Sequence, residues 1–194
     1  GNGGVGEGGN YDLTKAKYQV GISKRSQRLY ACSTQTNCVS VSAAKNPSQF
    51  VAPWDYTVST GDSAQAWKQL RRAIEDDPAL KVVEVDDALF YLRAEGESKV
   101  PKGGVDDVEV LLIPGEKIAT VRSASRENVY IYPYQQPIPD GGYQKARMDA
   151  VRARLGWVEL NYAGDGMYSD LNAAPESALG GPGGDPELRD LPRA

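Results

Sequence analysis

Residues 105–126, VDDVEVLLIPGEKIATVRSASR, carry the clearest structural signal in the chain. Val108, Val110 and Leu112 alternate with Asp107, Glu109 and Leu111, the period of two that marks a β-strand. Pro114 and Gly115 then supply a turn, because proline presets φ and glycine accepts φ > 0. In the return strand Ala119 and Val121 alternate with Ile118, Thr120 and Arg122. With Pro114 and Gly115 as the two loop residues, Asp107 lies opposite Arg122 and Val108 opposite Val121. That register sets apolar against apolar on an inner face and charge against charge on an outer one.

Upstream, 81–86 and 88–95 also alternate as strands, and 96–104 is a polar loop. Gly61-Asp62-Ser63 starts a helix over 64–77, with Trp67, Leu70 and Ile74 in one stripe. Trp67 is read as a core anchor. Asp77-Pro78 ends this helix, since the residue before proline resists helical geometry. Downstream, Met148, Val151 and Leu155 repeat the stripe over 143–155, and Gly156 is its stop. Between them the Tyr-Pro segment 130–142 is either an exposed contact patch or a rigid connection. The expected fold is α+β: a four-stranded antiparallel β-meander with both helices packed on the Val108/Val110/Val121 face. The charged face is expected to point to solvent.

The ends differ from this middle. Residues 1–28 read as an extended, basic, Gly-rich arm, 29–157 as the globular domain, and 158–194 as an extended acidic tail rich in Gly and Pro. Residues 1–50 hold six basic and two acidic side chains, whereas 156–194 hold two basic and seven acidic ones. Such polarity suits docking onto charged partners or simply solvated tails. The net charge of −4 predicts neither nucleic-acid nor membrane binding. No apolar run approaches the ~20 residues that span a bilayer. With Gly1 first and no apolar leader, the chain is expected to be a processed, mature protein.

The chain has no histidine, which removes the usual general base and the commonest metal ligand. Cys32 and Cys38 enclose five turn-forming residues. A disulfide there would contribute up to about 2.4 kcal/mol in a chain-entropy account, given an oxidising compartment. The other reading is two ordinary thiols. If the domain has a site, it is the cluster Asp106, Asp107, Glu109, Arg122, Ser123, Ser125 and Arg126, with Arg93 beside it. Arg122 and Arg126 suit a bidentate clamp on a carboxylate or phosphate, with Ser123 and Ser125 as hydroxyl donors. The structural reading pairs the arginines with neighbouring carboxylates, at about 0–1 kcal/mol per exposed pair. Loss of Arg122 is then expected to be mild. Asp106 and Asp107 do not suit a paired-carboxylate mechanism, because adjacent strand residues point to opposite faces.

Asn37-Cys38-Val39-Ser40, Asp106-Asp107-Val108-Glu109 and Arg122-Ser123-Ala124-Ser125-Arg126 occur in that order. Together they resemble the family of the domain of unknown function 1499, over roughly residues 29–157. The Tyr-Pro segment with Gln135-Gln136-Pro137, then Arg147 and Leu155-Gly156-Trp157, resembles the plastid members from plants and algae. This resemblance brings no reaction and no catalytic residues. It implies a chloroplast, and the cysteine pair makes the thylakoid lumen the natural compartment, with Cys32 and Cys38 joined. The expected role is a non-catalytic, peripheral subunit or assembly factor of a photosynthetic membrane complex, a photosystem core or antenna. Membrane contact would run only through partners, and no obligate homo-oligomer, nucleic acid or cofactor is expected. Tyr162, Met167, Tyr168, Leu171 and Leu179 are the expected partner-contact anchors. The alternative is a lumenal module that binds a small anion or lipid headgroup through Arg122 and Arg126.

Overall fold

The computed structural model describes residues 11–15, 19–133 and 135–160. Its strands are β1 (Tyr11–Lys15), β2 (Cys38–Ser40), β3 (Trp54–Asp55), β4 (Leu80–Asp86), β5 (Tyr91–Glu97), β6 (Val105–Ile113), β7 (Ile118–Ser125), β8 (Glu127–Ile131), β9 (Gln136–Pro137) and β10 (Val158–Glu159). Helix α1 (Ser63–Glu75) precedes β4, and α2 (Tyr143–Leu155) precedes β10. The fold is α+β. The strands β4, β5, β6 and β7 follow one another antiparallel, but the sheet is wider than four strands. Beyond β7 it continues through β3 and β10 at one end of that strand and β2 at the other, making seven strands. A second sheet has the order β1-β8-β9.

The central hairpin keeps its faces but not its expected partners. Its loop is four residues long, a 3₁₀ turn over Pro114–Glu116 closed by Lys117 at φ 55°. Ile113 therefore pairs with Ile118, Val110 with Val121, and Glu109, rather than Asp107, with Arg122. A shift of two residues leaves every side chain on its original face, which is why alternation alone does not detect it. The β4–β5 hairpin closes in the same way, pairing Asp86 with Tyr91 around four loop residues. Phe90 ends that loop at φ 55° instead of lying in the strand. Left-handed backbone is costly for a bulky side chain, and here the ring packs against Trp67 at 5.6 Å.

The helices form where local chemistry favours them. Asp62 caps α1, its Oδ1 accepting from Ala64 N at 2.9 Å, and Ala66, Trp67, Leu70 and Ile74 form the buried stripe. Asp140 Oδ1 receives the Gly142 and Tyr143 amides at the start of α2. Gly156 ends α2 in the left-handed conformation at φ 69°. Helix α2 lies on the Val108/Val110/Val121 face, where Gln144 meets Ser123 and Asp106. Helix α1 packs beside α2 and against β4.

The opposite face is not wet. Residues 21–35 cross it before the chain enters β2, so Asp107, Glu109 and Arg122 are all buried. Leu29 packs on Tyr91 and Leu111 of that face, with Ile22 and Ile113 at the margin. Strands β6 and β7 are thus covered on both sides. The folded unit accordingly reaches past both ends of 29–157. Ile22 bridges to Leu29, β1 pairs with β8, and Leu160 N donates to Pro53 O at 2.9 Å.

At the β4–β5 turn, Trp67 Nε1 donates to Asp87 Oδ1 at 2.8 Å, and Arg71 Nη1 reaches both carboxylate oxygens at 2.9 and 3.1 Å. The Trp67 hydrogen bond and then Arg71 hold Asp87 below the usual carboxylate range. The folded pKa is depressed, so this stabilisation is present above about pH 4 and disappears as pH falls through the folded value. Thermal melts from about pH 5 to 2 should show a shallower acid limb for Asp87→Asn, converging with wild type at the acid end. Parallel limbs would mean that the contact contributes nothing.

Candidate functional site

Three carboxylates on β6 each find a different arginine. Asp106 faces the helices. Its Oδ2 accepts from Arg147 Nη1 at 2.7 Å and Gln144 Nε2 at 2.8 Å, and its Oδ1 accepts from the Ser98 hydroxyl. Ser98 and Ser125 lie 3.1 Å apart through their hydroxyls, and Ser123 donates to Gln144 Oε1 at 2.5 Å. Arg147 also donates to Glu97 O at 2.8 Å and sits 4.7 Å above the Tyr143 ring. Gly96 gives the guanidinium its room, since a Cβ there would lie 3.1 Å from Arg147 Nη2.

Glu109 and Arg122 face the other way and are both fully buried, at 0% exposure. Arg122 Nη1 donates to Glu109 Oε2 at 3.1 Å. Its Nε donates to Ala31 O at 3.3 Å and its Nη2 to Gln35 Oε1. Glu109 Oε1 accepts from the Gly21 amide at 2.5 Å and the Tyr91 hydroxyl at 2.8 Å. Burial pushes the Glu109 carboxyl up, against the pull of Arg122, the Gly21 amide and Tyr91. Burial, with Glu109 beside it, likewise drives the Tyr91 hydroxyl upward. On the same face Asp107 is gripped by Arg126, Nε to Oδ2 and Nη2 to Oδ1, each at 2.8 Å. Arg93 Nη1 adds a contact to Asp107 at 3.1 Å, and Arg126 also holds Glu95 at 2.7 Å.

The residues singled out in the sequence are therefore near one another but divided by the sheet. Asp106, Ser123 and Ser125 belong to the helix side. Asp107, Glu109, Arg122 and Arg126 belong to the side crossed by residues 21–35. The serines stand behind Arg122 instead of completing a clamp with it. The expected outward ladder is corrected to an inward one, because the covering segment removes water from that face. Arg93, Asp107, Glu109 and Arg122 do share a face, as their parity implies.

Six side-chain partners escaped the sequence reading: Gln35, Tyr91, Glu95, Ser98, Gln144 and Arg147. One carried a visible clue. Gln144 precedes Met148 by four residues, placing a polar side chain on the apolar stripe of α2. Tyr91 and Ser98 become partners through the β5–β6 hairpin, and Gln35 only through long-range packing. Cys32 and Cys38 are joined in a disulfide buried against Ala43 and Ala124. Tyr162, Met167, Tyr168, Leu171 and Leu179 lie outside the described residues. Chemically, the cluster is a set of charge-assisted hydrogen bonds within the domain, with Arg126 the more accessible arginine at 36% side-chain exposure. No cluster of metal-ligating residues occurs among the described residues, and no described helix is long and apolar enough to cross a membrane.

These features define an α+β domain whose charged residues build its interior. Residues 28–155 match the family described as "Protein of unknown function (DUF1499)", and the chain belongs to that family. No curated protein matches the chain at a significant level.

Removing one member of a buried pair leaves an uncompensated charge in the interior, at a cost of about 3–5 kcal/mol. Arg122→Ala is expected to lose that much in urea denaturation. Arg126→Ala should lose roughly 1–2 kcal/mol, because Arg93 still holds Asp107. Equal losses, or a larger one at Arg126, would show that the Glu109–Arg122 pair is not the stronger fastening.

Proposed function

We propose that the protein is a non-catalytic, peripheral subunit or an assembly and stabilising factor of a photosynthetic membrane complex in the thylakoid lumen. The observation that carries this reading is the engagement of Asp106, Asp107 and Glu109 with Arg147, Arg126, Arg93 and Arg122 inside the domain. Side chains held this way hold the fold together and leave recognition to other surfaces. The plastid-like Tyr-Pro segment and the Leu155-Gly156-Trp157 ending support the compartment, and the disulfide fits an oxidising one. The partners are photosystem core or antenna subunits. Contact with them runs through the terminal segments, anchored by Tyr162, Met167, Tyr168, Leu171 and Leu179. Binding of a small anion or lipid headgroup through Arg122 and Arg126 is the weaker reading. Arg122 would have to release Glu109, Gln35 and Ala31 O before meeting a ligand.

The test is removal of residues 162–194, which spares β10 and the Leu160–Pro53 bond. The shortened chain should keep the thermal transition of the domain but migrate free of photosystem complexes after gentle solubilisation and native electrophoresis. A full-length chain that migrates alone would sink the subunit reading. A shortened chain that stays bound would sink the role of the tail.

A further inference from the structure

Five residues between Cys32 and Cys38 tie together segments that are distant in sequence. Gln35 Oε1 accepts from Arg122, and Gln35 Nε2 donates to Ser125 O at 3.2 Å. Asn128 of β8 binds the same loop twice over. Its Oδ1 takes the Thr36 amide at 3.0 Å and the Thr36 hydroxyl at 3.1 Å, and its Nδ2 donates to Thr34 O at 2.9 Å. Asn37 donates to Ile138 O and accepts from the Asp140 amide, both at 3.1 Å. The loop thereby fastens β7, β8 and the approach to α2 at once.

The two ends of the loop are unequally fixed. Cys38 belongs to β2 and pairs with Ala124. Cys32 lies in a turn, where its carbonyl accepts the Gln35 amide at 3.0 Å. Beyond the loop, Ile131 at the end of β8 and Tyr132 in the turn after it carry exposed side chains.

We propose that the Cys32–Cys38 disulfide is a redox-sensitive latch whose reduction loosens the 127–140 ribbon while α1, α2 and the β4–β7 strands stay in place. The reductant is a dithiol. Its thiolate attacks one cysteine sulfur and the other cysteine departs as a thiolate. The second thiol of the reductant then displaces the remaining cysteine. Two electrons pass to the protein, the two cysteines end as thiols, and the reductant ends as a disulfide. Two thiols do not fit where a bonded pair sat, because non-bonded heavy atoms need about 3.5–4 Å. The pair is buried against Ala43 and Ala124, and interiors leave little spare room. Cys38 is held by its strand, so Cys32 moves and carries Thr34 and Thr36 away from Asn128. Both cysteines are buried, so the loop must open before a reductant can enter.

Hydrogen–deuterium exchange on the full chain, oxidised and after dithiothreitol, tests the latch. Amides in 33–40 and 127–140 should exchange about tenfold faster or more when reduced, with α1 and β5 within about twofold, as expected for a few local hydrogen bonds lost. Uniform acceleration along the chain, or an unchanged 127–140, would overturn the proposal. Asn128→Ala should uncouple the two parts: the oxidised variant exchanges quickly at 127–140, while in 33–40 only the Thr36 amide, which loses its acceptor, speeds up. A protected 127–140 in that variant would also overturn it. Reduction by dithiothreitol should be at least about tenfold slower than that of the same disulfide in the urea-unfolded chain, because only the open form reacts; equal rates in the two states contradict a gated disulfide.

Discussion

The Glu109–Arg122 pair is the constraint to which the rest of the domain answers. Two charges taken wholly out of water are tolerated only if every remaining hydrogen-bonding position is filled. Filling them recruits Tyr91 from β5, Gly21 and Ala31 from the covering segment, and Gln35 from the disulfide loop. Each of these partners fixes the position of a different part of the chain. Such a pair adds less to net stability than an apolar replacement of equal shape often would. Its stronger effect is on uniqueness. A two-residue slip of β6 against β7 would keep every apolar residue on its own face, leaving hydrophobic packing nearly indifferent. It would also set Arg122 opposite Asp107 and take it from its place beside Glu109. The polar partners discriminate between registers that the apolar ones do not.

That degeneracy explains what the sequence disclosed and what it withheld. Both helices were legible, including the caps at Asp62 and Gly156, because capping and stripe periodicity are local. Strand alternation was legible too, and the antiparallel order of β4 to β7 followed from short connections. Loop length was not. Lys117 and Phe90 adopt left-handed backbone without being glycine, so neither looked like a turn-closing residue. The wetness of a face was also illegible. Alternation reports that two sides of a strand differ in chemistry, and a buried row of paired charges has the same pattern as a solvated one.

The site divides along the same line. Asp106 and Asp107 are neighbours in sequence and lie on opposite sides of a sheet, one beneath α2 and the other beneath Arg126 and Arg93. Parity placed them correctly, yet their arginines could not be assigned. Arg147 comes from a helix and Arg126 from beyond the end of β7. A cluster that looks single along the chain is two separate networks joined by one strand.

The distances along the chain that these contacts span have a consequence for how the domain assembles. The Gly21–Glu109 bond joins residues 88 apart, and the Gln35–Arg122 bond joins residues 87 apart. The β4–β5 and β6–β7 hairpins, by contrast, each close around four residues. Closing a long loop costs more entropy than closing a short one, so the local hairpins form first. Glu109 and Arg122 therefore remain hydrated until residues 21–35 dock, and the dehydration penalty falls on that late step. During synthesis the order of appearance is reversed. The covering segment leaves the ribosome before the strands it must cover, and it waits without its partners until Arg122 has emerged.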